Sequence, residues 1–207
     1  DNLAGESIYE DLLPEVVDRL SNQDMIEESN GALVVFPEGW LNREKEPLPL
    51  IIRKGDGGYN YATSDLACII NRVENVGGTE FLYVVGAEQS QHFDMVFQVA
   101  RQANFMDDSI KSVHIPFGLV VGSDGKKLAS RDGEAISLKD LLEESIARAN
   151  KSILEKNPDI SESERAEISK MIGIGSVKYA DLSVDRNKNY VFDWDKMLSF
   201  DGNTAPY

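Results

Sequence analysis

Phe81-Leu82-Tyr83-Val84-Val85, running into Gly86-Ala87-Glu88-Gln89, is the stretch on which the fold turns. A short continuous apolar run closed by a glycine has the length and composition of a strand buried on both faces. After it, Phe93, Val96, Phe97 and Ala100 recur at helical spacing, and Val113 to Val121 forms a second strand region. Ser137 then opens a helix that carries Leu138, Leu141, Leu142 and Ile146. Strand, helix, strand and helix in that order predict a parallel α/β unit with a buried sheet, because parallel neighbours require a crossover. In such sheets ligands sit beyond the carboxyl ends of the strands. That rule selects two segments, Gly86 to Gln89 and Gly122 to Arg131.

Upstream of this unit, Thr63 or Ser64 is expected to cap a helix reaching about Asn75. Gly55-Asp56-Gly57-Gly58 predicts a tight hairpin turn, since glycine supplies the positive φ such turns need. Gly31 to Phe36 and Leu48 to Arg53 read as short strands around a polar, proline-containing segment. Ile8, Leu12, Val16 and Leu20 keep helical spacing, with Pro14 marking a break or a first turn. Downstream, Ser161-Glu162-Ser163-Glu164 has capping-box spacing ahead of a helix to about Tyr179, expected to be loosened by Gly173 and Gly175.

Composition narrows the class. With 207 residues and 42% hydrophobic content, the chain can bury a core of its own. The first 28 residues hold nine acidic side chains and one basic one, which excludes a secretory or mitochondrial leader. With no apolar run of spanning length, a cytosolic-type protein without membrane contact is expected. The lone Cys68 cannot form an internal disulfide and reads as a buried, inert thiol. A net charge of −15 argues against strong nucleic-acid binding by this chain alone. The exception is Gly122 to Gly133, where Lys126, Lys127 and Arg131 outweigh Asp124 and Asp132 and offer a polyanion its landing point.

Four segments stand in a familiar order: Tyr59-Asn60-Tyr61-Ala62-Thr63-Ser64-Asp65-Leu66-Ala67, Gly86-Ala87-Glu88-Gln89, Gly125-Lys126-Lys127-Leu128-Ala129-Ser130-Arg131, and Phe200-Asp201-Gly202-Asn203-Thr204-Ala205-Pro206-Tyr207. Together they resemble the catalytic domain of arginyl-tRNA synthetase. The resemblance implies the second half of a class I, Rossmann-like catalytic domain. Residues 1–48 would be an insertion like the family's connecting peptide, 49–157 the Rossmann-like half, and 158–207 the helical junction with the anticodon-binding domain. The only histidines are His92 and His114, so the family's H-x-G-H element is not in this sequence. Both ends read as cut, and the chain is expected to be an incomplete piece of an arginine-tRNA ligase. Two rivals stay open: a non-catalytic arginine- or nucleotide-binding fragment, and a nucleotidyltransferase using the same fold for another small substrate.

A site for arginine must offer an anion and shaped polar neighbours to a planar, permanently charged guanidinium. Tyr61 and Asp65 lie one turn apart and share a face if a helix begins by Tyr61. By resemblance, they and Gln89 bind substrate L-arginine. Taken singly, each has a plain alternative: a strand aromatic, a helix-start acid and a loop amide. Lys127 to Arg131 occupies the place of the class I K-M-S-K-S element, with only the first residue matching and Ser130 where the second lysine stands. Lys126, Lys127 and Arg131 are therefore all candidates to stabilise charge as an adenylyl group transfers. The resemblance assigns Gly86, His92, Lys126 and Lys127 to ATP, although His92 is equally readable as a helix-start residue satisfied by backbone. His114, alternating with Val113 and Ile115, reads as a packed structural histidine. No metal-ligand spacing is present, so Mg²⁺ is expected to arrive with ATP. The remaining expected partner is tRNA(Arg).

Overall fold

A computed structural model describes residues 3–122, 125, 137–197, 199 and 205. The expectations placed on Lys126, Lys127 and Arg131, and on 200–207 apart from Ala205, fall outside these residues. The chain divides into two compact units, residues 1–115 and 116–207.

In the first unit, a 3-10 segment over Glu6–Leu12 runs into helix α1, Leu13–Ser21, with Pro14 in its opening turn as expected. Tyr9 is buried where the helical spacing had selected Ile8, which is exposed, because the tighter 3-10 winding rotates that face. Strands β1, Glu27–Ser29, β2, Ala32–Val35, and β3, Leu50–Arg53, form an antiparallel sheet in that order. The turn after β3 closes as predicted: Lys54 N–H donates to the Gly58 carbonyl, and Gly57 sits at φ 88°.

Helix α2, Tyr61–Glu74, begins earlier than the capping residues predicted. Asn60 is its N-cap, and its side-chain oxygen accepts the Tyr61 N–H at 3.0 Å. The Thr63 hydroxyl, fully buried, is instead committed to the Ile52 carbonyl on β3. One face of α2 buries Ala62, Leu66, Ala67, Ile69 and Ile70 in the core of this unit. Strand β4, Glu80–Gly86, and helix α3, Ser90–Gln102, follow, and Phe93, Val96, Phe97 and Ala100 are all buried on α3 as predicted. The next strand, β5, Lys111–Phe117, is the neighbour of β4 in a two-stranded sheet.

Strand β4, expected to be buried on both faces, is covered on one only. Phe81 and Tyr83 enter the core, whereas Leu82 and Val84 are 54% and 65% exposed. The alternation of the pleat gives β4 one covered and one open face.

In the second unit the strand region predicted to reach Val121 is interrupted. β5 ends at Phe117 and β6, Val120–Val121, resumes beyond Gly118, paired in parallel with β7, Tyr190–Val191. The cause is a close approach of backbone. Gly118 N–H donates to the Arg186 carbonyl at 2.7 Å, and a Cβ on Gly118 would collide with the Lys188 carbonyl and the Asn189 nitrogen. Arg186 in turn donates to the Pro116 carbonyl at 2.6 Å, and the Asn189 side chain accepts the Leu119 N–H at 2.9 Å. Gly118→Ala is accordingly expected to destabilise this unit by about 1–3 kcal/mol or more, read as a lower urea midpoint. An unchanged midpoint would show that the turn at 185–189 yields freely.

Helices α4, Leu138–Lys156, and α5, Glu162–Leu182, pack together and start as predicted on Ser137 and Ser161, whose side chains accept the Asp140 and Glu164 N–H groups. Gly173 does not loosen α5, which continues unbroken to Leu182. It marks the contact with α4: an added Cβ would lie 2.8 Å from the Ile146 Cα, and the buried Ser145 hydroxyl donates to the Gly173 carbonyl at 2.8 Å. A short helix α6, Trp194–Met197, completes a small cluster with Ala180 and Phe192.

Candidate functional site

The start of α2 and the start of α3 come together in the first unit. Because α2 begins at Tyr61, Asp65 falls one turn later on the same side, meeting the condition that the sequence left open. A 3-10 turn over Ala87–Gln89 leads from β4 into α3, and the Ser90 hydroxyl donates to the Ala87 carbonyl at 2.8 Å. His92 then sits in the first turn of α3, where its Nε2 lies 2.6 Å from Asp65 Oδ2. Both side chains are partly open to solvent, 21% for His92 and 25% for Asp65. The Tyr61 ring stands edge-on to the His92 imidazole with centroids 6.4 Å apart.

Beside this pair is an open cleft of about 310 Å³ lined by Leu50, Tyr61, Glu88, Gln91, His92 and Met95 among others. Tyr61 and Asn60 also border a second depression of about 370 Å³ that includes Glu6 and Glu10. Glu88 in the first depression and Glu6 and Glu10 in the second give the two hollows beside the exposed Tyr61 a negative bias. Gln89 is exposed at the end of its 3-10 turn. Gly86 is buried at the end of β4, and the Glu88 carboxylate occupies the space where a Cβ would project.

Beneath the site is an aromatic layer. Phe93 packs against Tyr83 at 5.0 Å, Phe97 at 5.8 Å and His114 at 5.2 Å between centroids. The His114 Nε2 lies 3.0 Å from the Val85 carbonyl, the packed structural role expected for it. Burial pushes the Tyr83 phenol above its ordinary range, opposed in part by the Arg72 guanidinium 5.0 Å from its ring. Burial likewise raises the Cys68 thiol, keeping it protonated and unreactive.

The family model for tRNA synthetases class I (R), catalytic domain, matches residues 2–194. The chain belongs to this family. This class I synthetase chain is 47% identical over 207 residues to the arginine-tRNA ligase of Nostoc sp., covering 98% of the chain and 35% of that protein. It is 49% identical over 206 residues to the arginine-tRNA ligase of Shewanella woodyi, covering 100% and 36% respectively. Among solved structures, the arginyl-tRNA synthetase of Plasmodium falciparum matches with TM-score 0.80 and 27% identity, over 100% of this chain and 34% of that one. The Thermus thermophilus arginyl-tRNA synthetase matches in fold, with TM-score 0.73 at 21% identity, over 97% and 38%. The synthetase chain therefore spans about a third of the length of the curated relatives it matches.

The second candidate constellation of this synthetase chain, Lys126, Lys127 and Arg131, is described only at its two attachments. The segment leaves the carboxyl end of β6, which parallel pairing with β7 holds in place, and re-enters at Ser137. Ser137 accepts the Asp140 N–H at 3.1 Å and donates to the Asp140 carboxylate at 2.6 Å, a firm cap. Among the described residues, no group of three or more His, Cys, Asp or Glu side chains is arranged to hold a metal ion. No helix among them is long and apolar enough to cross a membrane.

Two features of the site were not evident from sequence. Glu88 and Gln91 line the cleft although neither had been singled out, and the only local signal was their position inside and just after the Gly86 to Gln89 motif. The bond between Asp65 and His92 joins residues 27 apart and has no sequence signature of its own.

Proposed function

We propose that this chain supplies the arginine-recognising part of the catalytic domain of an arginine-tRNA ligase. The observation carrying this reading is the Asp65 carboxylate, held by His92, which with Tyr61 lines the neighbouring cleft, in a chain of this family. Asp65 accepts the guanidinium, Tyr61 covers its planar face, and Gln89 contributes a polar contact from the turn after β4. Residues 1–48 act as an insertion, 49–157 as the Rossmann-like half and 158–207 as the helical junction.

In the whole protein the α-carboxylate of arginine attacks the α-phosphate of ATP. Pyrophosphate leaves, giving arginyl-adenylate, and the arginyl group then passes to the 3′ end of tRNA(Arg) with release of AMP. ATP meets Lys126, Lys127 and Arg131 through its phosphates, and Gly86 adjoins the nucleotide once the Glu88 carboxylate beside it swings aside. Charge develops on the leaving pyrophosphate in the transition state, which is where cations contribute most. Mg²⁺ enters with the ATP phosphates. The setting is the cytoplasm.

Arginine-dependent exchange of pyrophosphate into ATP tests this reading. Full-length protein containing this sequence is expected to exchange with arginine and not with lysine, tRNA(Arg) being supplied. The 207-residue chain by itself is expected to show none, since neither His92 nor His114 belongs to an H-x-G-H element. Lysine-driven exchange by the full-length protein would defeat the substrate assignment. Robust exchange by the chain alone would defeat the division of labour.

A further inference from the structure

We infer that His92 is a positioning residue for arginine recognition, acting through Asp65 rather than through the nucleotide. The inference rests on the reading of Asp65 as the guanidinium acceptor. An aspartate on an open helix face samples several χ1 and χ2 settings. A two-pronged guanidinium contact needs both carboxylate oxygens held in one plane. With Nε2 lying 2.6 Å from Asp65 Oδ2, His92 ties one oxygen down. Of the roughly four acceptor sites of a carboxylate, one is used and the rest remain for the substrate. In this arrangement Nε2 carries the proton donated to Asp65.

His92 is itself held. Its ring lies edge-on to Phe93 at 5.2 Å, and Phe93 is buried against His114, whose Nε2 contacts the Val85 carbonyl at 3.0 Å. The support therefore runs from the backbone of β4, through two aromatic contacts, to the carboxylate. The Tyr61 ring also contacts the imidazole, at 6.4 Å between centroids. A ligand contact is only as well placed as the groups that orient it, as in metal sites where outer partners fix the ligating side chain.

The test uses full-length protein and steady-state exchange kinetics with four variants: His92→Leu, His92→Gln, Asp65→Asn and the double variant His92→Leu/Asp65→Asn. His92→Leu is expected to raise the arginine KM by about 10-fold, the effect of one hydrogen bond to a charged group, and to leave the ATP KM within about 2-fold. His92→Gln, whose amide nitrogen can reach the position of Nε2, restores most of the loss. The double variant is expected to be no worse for arginine than Asp65→Asn alone, because His92 has nothing left to position. If His92→Leu does not fold, His92→Asn takes its place, its shorter amide falling short of Asp65. A raised ATP KM with normal arginine KM would overturn the inference by placing His92 at the nucleotide. Additive losses in the double variant would overturn it by separating His92 from Asp65. Normal arginine KM in Asp65→Asn would overturn the acceptor assignment itself, and the inference with it.

Discussion

Lys127→Ala in full-length protein is expected to lower kcat for adenylate formation by about 10²-fold or more, with a much smaller change in arginine KM. The split follows from where the charge appears. Bond breaking puts new charge on the departing pyrophosphate. A cation beside the phosphates contributes most at that moment. β6 and the Ser137 cap fix the two attachments of the segment, so the substitution should leave the fold, and hence the thermal midpoint, unchanged. Lys126→Ala is the control. If it abolishes exchange while Lys127→Ala has normal kinetics, the role belongs one residue earlier.

Asp65→Ala should weaken arginine binding by about 10- to 150-fold, the equivalent of roughly 1.5–3 kcal/mol for a charge-assisted hydrogen bond. ATP binding should change far less, and Tyr61→Phe should give a milder loss if the hydroxyl reaches the substrate. The competing account, in which Asp65 only supports the fold, predicts a different pattern. Loss of its bond to His92 would then lower stability by about 1 kcal/mol without selectivity for arginine. Titrations with arginine and ATP beside a thermal melt separate the two. Normal arginine affinity in a folded Asp65→Ala protein would remove the central group of the pocket.

Where sequence and structure agree, the determining physics is local. The buried face of α3 through Phe93, Val96, Phe97 and Ala100 depends on helical period alone, and the Ser137 and Ser161 caps depend on groups three residues away. Disagreement begins where distant chain intervenes. Thr63 is a good capping type, but its hydroxyl is claimed by the Ile52 carbonyl, and the cap passes to Asn60. The break in the strand at Gly118 is imposed by Lys188 and Asn189, some seventy residues on. Gly173, read by propensity as a weak point, is a close-packing point because Ile146 of another helix arrives there. The placing of Tyr61 and Asp65 one turn apart on one helix was readable from their spacing. The brace from His92 was not, since it depends on how α2 and α3 are laid side by side.

The open face of β4 has a consequence for how the molecule behaves in solution. Leu82 and Val84 present adjacent aliphatic side chains to water, and such a patch invites contact with a second copy of itself. Against this stands the net charge of −15, which keeps copies apart over a distance set by dissolved ions. At about 0.01 M salt the repulsion reaches some 30 Å, and near 1 M only about 3 Å, shorter than the reach of a side chain. Each addition of salt therefore shortens the range over which the acidic surface holds the open faces of neighbouring copies apart.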